Sequence, residues 1–204
     1  MKNKHLLYEA MQLSNNNDVE RLIKCFLLSN ELQTTNKFNP YDFTSKKDRY
    51  RPALAGVHYK DGYVYASDGY SAIKVRQEYD SKLEGKVIGK DGVEISGNFP
   101  DINRVFPSIE NPSFIDIDFN RILAVAKEFR IDRKANKSLE FAVIRIGKVY
   151  LNVELLVKIA KFAIHFNIDK MGVQQPDKCV IVTDEVNSAL LMPVIYTDQK
   201  VYEL

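Results

Sequence analysis

The chain has 204 residues, with 45% hydrophobic and 27% charged residues, which is enough for one large or two small globular domains. A net charge of only +2 excludes a polycation that coats nucleic acid indiscriminately, so any DNA contact must come from a local basic surface. No apolar stretch approaches the ~20 residues of a membrane span. The N-terminus is a poor secretory signal, and Cys25 and Cys179 lack metal-ligand spacing. We therefore expect a cytoplasmic protein with reduced thiols.

The first quarter of the chain predicts a helix and a loop. Apolar residues recur at helical spacing over residues 18–29, which are preceded by the potential N-cap Asn17. Residues 5–13 are compatible with a further helical turn. Residues 33–51 are polar and aromatic without a period, so we expect a long loop there.

Between residues 56 and 96 the period changes to two. Residues 56–75 alternate around an Asp-Gly pair at positions 61–62, and residues 86–96 alternate around a second pair at positions 91–92. Asp-Gly favours the tight turns of antiparallel strand pairs. Two hairpins are therefore predicted.

The second half of the chain combines helices with hairpins. One helix is expected to begin after Asp118 and another after a capping Asn152, and strand pairs are expected over residues 139–151 and 178–194. Helices interspersed with antiparallel hairpins form an α+β pattern. The side chains predicted to be buried are Ile122, Leu123, Ala126 and Phe129 in the first helix and Leu155, Ile159, Phe162, Ala163 and Phe166 in the second.

A short pattern occurs twice. Residues 64–68 (VYASD) precede residues 71–73 (SAI), and residues 180–184 (VIVTD) precede residues 188–190 (SAL). Each is a strand that ends in a hydroxyl residue and Asp, then a turn, then a strand that begins with Ser-Ala. Strand–turn–strand units reuse these residue types, so the match gives limited support for a duplicated architecture.

Five segments resemble, in the same order, the β subunit of bacterial DNA polymerase III, the sliding clamp. They are residues 51–57 (RPALAGV), 66–72 (ASDGYSA), 99–107 (FPDINRVFP), 151–156 (LNVELL) and 190–194 (LLMPV). The third segment is the most specific, because it is similar at fixed spacing to the link between the second and third domains of the clamp. The resemblance implies the last two-thirds of a three-domain clamp in shortened form.

The expected fold is α+β and DNA-clamp-like, with helices packed on antiparallel sheets in pseudo-repeated units. We expect an abbreviated clamp-like unit over residues 1–98 and a second unit over residues 99–204. Three copies of a two-domain chain would make the six-domain ring typical of clamps. The segment between Val75 and Phe99 is too short for the second helix of a clamp domain, and residues 195–204 continue past the terminal Met-Pro motif of the family. These departures favour an open or different homo-oligomer.

In the clamps, partners bind a hydrophobic cleft between the second and third domains. The resemblance places in this cleft Ser67, Gly69, Tyr70, Ala72, Pro100, Val105, Met192, Pro193 and Val194. Methionine fills irregular apolar pockets, and a short peptide can anchor one or two side chains in such a groove. The alternative is that Met192 and Val194 are core residues of a terminal strand.

Clamps also place helices around DNA so that basic side chains face the phosphates. The candidate phosphate contacts here are Arg21, Lys24, Arg121, Lys127, Arg130, Lys158 and Lys161. Such contacts give sequence-independent, salt-sensitive affinity for double-stranded DNA. The alternative is the solvated polar face that every surface helix needs.

Catalysis is not expected. The three histidines, His5, His58 and His165, have no metal-ligand spacing, and the sequence contains no Gly-rich phosphate loop or nucleophile elbow. We therefore predict a protein without metal or cofactor. Its expected function is that of a replication accessory factor that holds DNA, docks replication proteins carrying clamp-binding peptides, or does both. A clamp-like interaction module that neither encircles nor binds DNA is the alternative.

Overall fold

The computed structural model describes residues 38–45, 48–106, 112–137, 142–173, 177–195 and 200–204. The helix predicted over residues 18–29, with Arg21 and Lys24, and the helical turn predicted over residues 5–13 lie outside the described residues. The described α-helices are α1 (Phe119–Ala135) and α2 (Val153–His165), and the short 3-10 helices are η1 (Pro40–Phe43), η2 (Pro52–Ala55), η3 (Ser81–Leu83) and η4 (Ile102–Arg104). The strands are β1 (Val57–Lys60), β2 (Tyr63–Ser67), β3 (Ser71–Arg76), β4 (Val87–Ile88), β5 (Ser113–Asp116), β6 (Ala142–Ile146), β7 (Val149–Asn152), β8 (Lys170–Val173), β9 (Val180–Thr183), β10 (Ser188–Leu191) and β11 (Lys200–Glu203).

The strands form one large and one small sheet. The large sheet has eight strands in the order β4-β1-β2-β3-β10-β9-β8-β5, and the small sheet has the order β11-β6-β7. Every neighbouring pair in the large sheet is antiparallel, whereas β11 pairs with β6 in parallel. Because β3 pairs with β10, strands from both sides of position 98 share a sheet. The division into units at residues 1–98 and 99–204 stays a prediction.

Both predicted helices of the second half are confirmed, with their caps. The Asp118 carboxylate accepts the backbone N–H groups of Asn120 and Arg121 at 3.0 and 3.1 Å, and Asn152 Oδ1 accepts the N–H of Leu155 at 3.0 Å. The apolar faces of α1 and α2 pack against each other, and α2 also packs against β9 and β10 of the large sheet and β6 and β7 of the small sheet. Of the side chains predicted to be buried, Leu155 and Phe166 are only half-buried.

Most of the predicted hairpins are present. Strands β1 and β2 are joined by Asp61 and Gly62, both at positive φ (53° and 75°), and the pairs β6–β7 and β9–β10 form as expected. Residues 86–96 form only the two-residue strand β4 and an isolated bridge between Ile88 and Glu94. Residues 90–94 are all exposed, so this segment has no apolar face that would sustain a longer strand.

The predicted loop over residues 33–51 contains a structured part. In η1, Asn39 Oδ1 accepts the N–H of Tyr41 at 3.0 Å, and Pro40 occupies the first helical position. Phe43 follows and is 1% exposed within the main core. A single buried aromatic residue leaves no periodic signal, which is why the sequence predicted only a loop.

The large sheet has a core on each face. Its inner face contributes Val64, Ile73 and Leu191, among others, to the main core with the helices. On its outer face, Tyr65, Ala72 and Leu190 form a small second core with Ile102 of η4. The half-buried Phe99 and Phe106 pack against this second core, so the segment that links the two halves of the chain is fixed to the outer face of the sheet. No helix in the described ranges is long and apolar enough to cross a bilayer.

Candidate partner-docking cleft

The turn between β2 and β3 is held by its own side chains. Asp68 Oδ1 accepts the N–H groups of Tyr70 and Ser71 at 2.9 and 2.7 Å, and Ser67 Oγ donates to the Ser71 carbonyl at 2.9 Å. Gly69 closes the turn at φ 88°, a left-handed conformation that glycine adopts without steric cost. This geometry directs Tyr70 into solvent, where it is 66% exposed.

The end of β10 runs beside this turn. Leu190 pairs with Ala72 and Leu191 with Ser71, and the N–H of Met192 then donates to the Tyr70 carbonyl at 2.8 Å. Side chains two positions apart on a strand point to the same face, so Tyr70, Ala72, Leu190 and Met192 share the outer face of the sheet. Met192 is 39% exposed and therefore is not the core residue of the alternative interpretation.

The linking segment lies on the same face of the sheet. Ile102 is buried against Ala72 and Leu190, while Pro100 is exposed and Val105, which ends η4, is 50% exposed. We call the surface formed by Tyr70, Ala72, Pro100, Val105 and Met192 the docking cleft. Among the other residues predicted there, Ser67 is buried inside the turn, Gly69 lies in the turn, and Pro193 and Val194 are half-buried.

Lys158 does not project into solvent as a phosphate contact would. Its Nζ lies 2.6 Å from Asp68 Oδ2, with side-chain exposures of only 23% for Lys158 and 10% for Asp68. Nζ also lies 6.0 Å from the centroid of the Phe43 ring. Lys158 thus connects α2 to the turn that carries Tyr70. This contact differs from the predicted role of Lys158 as a DNA-phosphate contact.

The remaining candidate phosphate contacts in the described ranges differ in pairing and in exposure. Arg130 Nη2 binds Glu154 at 2.7 Å, and Arg133 Nη2 shares the same carboxylate at 3.4 Å. Arg121 is exposed, whereas Lys127 and Lys161 are half-buried. Sequence reasoning missed the acceptor Glu154, although an acidic residue in the first turn of a helix is a recognisable feature that the helix dipole favours.

The C-terminal strand is tied to α1. The Tyr202 hydroxyl donates to Asp132 Oδ2 at 2.7 Å, and Lys200 Nζ contacts the same oxygen. The hydrogen bonds from Lys200 and Tyr202 lower the pKa of Asp132. Residues 200–203 also pair in parallel with β6 of the same chain.

The repeated sequence pattern corresponds to two equivalent turns. In the β9–β10 turn, Asp184 Oδ1 accepts the N–H groups of Val186 and Asn187 at 3.1 and 2.6 Å, and Thr183 Oγ1 donates to the Asn187 carbonyl at 3.0 Å. These bonds match those of the Asp68 turn, so Asn187 is the equivalent of Ser71. The Ser-Ala alignment suggested by the sequence is therefore shifted by one residue.

The described ranges bring no three His, Cys, Asp or Glu side chains together as a metal site. No family model matches the chain, and no curated protein is detectably similar in sequence. Solved structures, in contrast, are similar in fold. The β sliding clamp of Caulobacter crescentus has 14% identity and a TM-score of 0.55, over 82% of this chain and 64% of the clamp.

Two further structures agree. The polymerase III β chain of Streptococcus pneumoniae has 15% identity and a TM-score of 0.56, over 82% of this chain and 63% of that chain. The sliding clamp of Pseudomonas aeruginosa has 12% identity and a TM-score of 0.53, over 76% of this chain and 62% of the clamp. The fold is that of a bacterial sliding clamp. The chain spans less than two-thirds of the length of these clamps. The predicted α+β clamp-like fold is confirmed, whereas membership of the β-subunit family remains a prediction.

Proposed function

We propose that this protein is a replication accessory factor with a clamp fold that docks peptide segments of replication proteins in the docking cleft. The observation that supports the proposal is the hydrogen bond from the Met192 N–H to the Tyr70 carbonyl, which brings two partly exposed apolar residues together beside the face of the sheet on which Ile102 of the linking segment is buried. A flexible methionine beside a rigid aromatic ring suits partners of varying shape. Ile102, which is buried against Ala72 and Leu190, fixes the linking segment to the sheet, so little ordering of this segment is needed on binding.

Binding of a fluorescent peptide that carries the clamp-binding segment of a bacterial replicative polymerase tests this function. Met192→Arg places a charge in the apolar cleft and should weaken peptide binding at least tenfold, which corresponds to about 1.4 kcal/mol. Ile131→Arg is the matched control, because Ile131 is an exposed apolar residue on α1. Equal affinities of the two variants and the wild type would contradict docking in the cleft.

A second function, holding double-stranded DNA along the helices, is supported by the exposed Arg121 and by Lys161, which makes no ion pair with a described residue. The pairing of Lys158 with Asp68 and of Arg130 with Glu154 leaves few cations for phosphates. Two contacts would give a salt slope of about −1.8 in log–log form, so the affinity for a duplex should fall about twelvefold between about 50 and 200 mM salt.

The double variant Arg121→Glu/Lys161→Glu should abolish this duplex affinity. Lys148→Glu/Lys170→Glu, with the same change in net charge at two exposed lysines outside the helices, should retain it. Light scattering across protein concentrations tests the proposed homo-oligomer. A stable trimer or dimer favours a ring around DNA, and a monomer at every concentration leaves the docking module that does not encircle DNA.

A further inference from the structure

The outer face of the large sheet carries cations interleaved with aromatic rings beside the docking cleft. Alternation along β1, β2 and β3 sends to this face His58, Lys60, Tyr63, Tyr65, Lys74 and Arg76. Tyr65 lies opposite both His58 and Lys74, and Tyr63 lies opposite both Lys60 and Arg76. Lys74 Nζ is 4.5 Å and the Arg76 guanidinium carbon is 5.3 Å from the centroid of the Tyr63 ring. The result is a mixed grid of positive charge and ring surface.

An open cavity lies at one side of this grid. It has a volume of about 160 Å³ and lies between His58, Lys60 and Tyr65 of the sheet and residues 99–103 of the linking segment. This volume is far above the ~15 Å³ that admits one water molecule. The rings of His58 and Phe99 stack at its wall, with centroids 5.0 Å apart and planes 22° apart.

The histidine at this wall is an uncharged aromatic ring near neutral pH. Burial lowers the pKa of His58, although its contact with the Lys86 carbonyl acts in the opposite direction. His58 Nδ1 lies 3.2 Å from that carbonyl oxygen, and a carbonyl can only accept, so Nδ1 carries the proton. The cavity wall therefore offers ring surface together with polar groups from Lys60 and Asn103.

The charge balance of the face favours an anionic ligand. Lys60, Lys74 and Arg76 form no ion pair with any described residue, whereas Asp101 at the cavity is paired with Arg104 at 3.2 Å. The carboxylates of Asp61 and Glu84 lie near the β1–β2 turn, and Glu84 accepts the Tyr79 hydroxyl at 2.7 Å and the Asp61 N–H at 3.0 Å. These carboxylates offset Lys60, so the positive character is concentrated at Lys74 and Arg76.

We propose that this face binds single-stranded nucleic acid, with phosphates against Lys74 and Arg76 and one unpaired base in the cavity beside His58 and Phe99. A grid of cations and rings next to a slot of this size matches the two parts of a nucleotide, a charged backbone and a planar base. In a duplex the base faces are stacked inside, so no base can enter the cavity. The site adjoins the docking cleft, with which it shares Pro100, but its cations and its stacked rings lie outside that cleft.

Fluorescence anisotropy on the full chain tests the proposal with three probes. These are an oligo(dT) of about 15 nucleotides, an abasic oligonucleotide of equal length, and a duplex of equal length. Oligo(dT) should bind at least tenfold more tightly than the abasic strand, since the two carry the same phosphates and only oligo(dT) has bases. With two phosphate contacts, its affinity should fall about sevenfold between about 50 and 200 mM salt.

Matched variants locate the site. Lys74→Glu/Arg76→Glu should weaken oligo(dT) binding at least tenfold, whereas Lys148→Glu/Lys170→Glu, with the same change in net charge, should retain wild-type affinity. Met192→Arg should leave oligo(dT) binding unchanged, which separates this site from peptide docking. Equal binding of oligo(dT) and the abasic strand, tighter binding of the duplex than of oligo(dT) by Arg121→Glu/Lys161→Glu, absence of oligo(dT) binding at low salt, or wild-type affinity of Lys74→Glu/Arg76→Glu would each overturn the proposal.

Discussion

The two equivalent turns of the large sheet, residues 67–71 and residues 183–187, share their backbone hydrogen bonds but differ in how their aspartates are held. Asp184 is satisfied within its own turn, since Asn187 Nδ2 donates to Asp184 Oδ2 at 2.9 Å. Asp68 directs the corresponding oxygen to Lys158 on α2, 90 positions away in the chain. The Asp184 carboxylate is therefore held within its own turn, whose Asn187 Oδ1 also accepts the N–H of Arg76 in β3 at 2.9 Å, whereas the Asp68 carboxylate is fixed to a helix.

This difference matches what each turn presents. The Asp68 turn carries Tyr70 into the docking cleft, and the Asp184 turn carries the exposed Val186 at the equivalent position. A surface that binds a partner gains affinity from a fixed geometry, because less freedom is lost on binding. We interpret the ion pair with Lys158 as the additional restraint on the turn that serves the cleft.

The largest effect is expected when this restraint is broken. Asp68→Asn retains an oxygen that can accept the turn N–H groups but leaves the partly buried Lys158 without its carboxylate. Removing one member of a buried ion pair costs about 3–5 kcal/mol, and the partial exposure of Lys158 reduces the expected loss to about 2–4 kcal/mol of unfolding free energy. Urea unfolding of Asp68→Asn and Asp184→Asn measures the contrast between the turns.

The double variant Asp68→Asn/Lys158→Met provides the control. It removes both charges, so it should lose less stability than the sum of the two single variants. Equal losses for Asp68→Asn and Asp184→Asn would mean that the link to α2 adds nothing to the turn.

A smaller effect on stability is expected from substituting the residue of each turn that has positive φ, which is Gly69 in one turn and Glu185 in the other. Gly69→Ala should cost about 1–2 kcal/mol, because φ is 88° and the new Cβ would lie 3.0 Å from Arg51 Nη2. Glu185 adopts φ 76° without being glycine, so Glu185→Gly should be neutral or stabilise by about 0.5 kcal/mol. Thermal unfolding of both variants checks this. A loss in Glu185→Gly as large as that in Gly69→Ala would refute the equivalence of the two positions.

Local signals in the sequence predicted much of the fold. The caps Asp118 and Asn152, the Asp-Gly turn at positions 61–62 and the buried faces of α1 and α2 depend on residues close together in the chain, and all are present. The segment over residues 99–106, part of the most specific resemblance, is fixed to the outer face of the sheet by Ile102, while its role in a cleft stays a prediction.

Contacts between distant residues were not accessible in this way. A lysine on the polar face of a helix predicts solvent exposure, and only the packing of α2 on the sheet brings Lys158 to Asp68. The one-residue shift in the repeat has a similar origin. Asn187 is equivalent to Ser71 because the two make the same hydrogen bonds in their turns, although their residue types differ. The parallel pairing of β11 with β6 likewise depends on Asp132 of α1, which holds Lys200 and Tyr202.

The smallest effect on stability is expected from a change of pH, and it concerns the Asp184 turn. Burial acts to raise the pKa of Asp184, but the hydrogen bonds from Asn187 and Val186 outweigh it and hold the pKa below its usual value. A depressed pKa in the folded state means that this carboxylate stabilises the fold above the unfolded pKa of about 3.9 and loses that contribution as the pH falls through the folded value. Asp184→Asn should therefore be less stable than the wild type by about 1 kcal/mol at neutral pH, and the difference should begin to shrink as the pH falls below about 3.9. Urea midpoints at neutral pH and at about pH 3 measure it. A difference that stayed constant down to pH 3 would show that shape, and not charge, accounts for the role of Asp184, and the contrast with Asp68 would then rest on the ion pair alone.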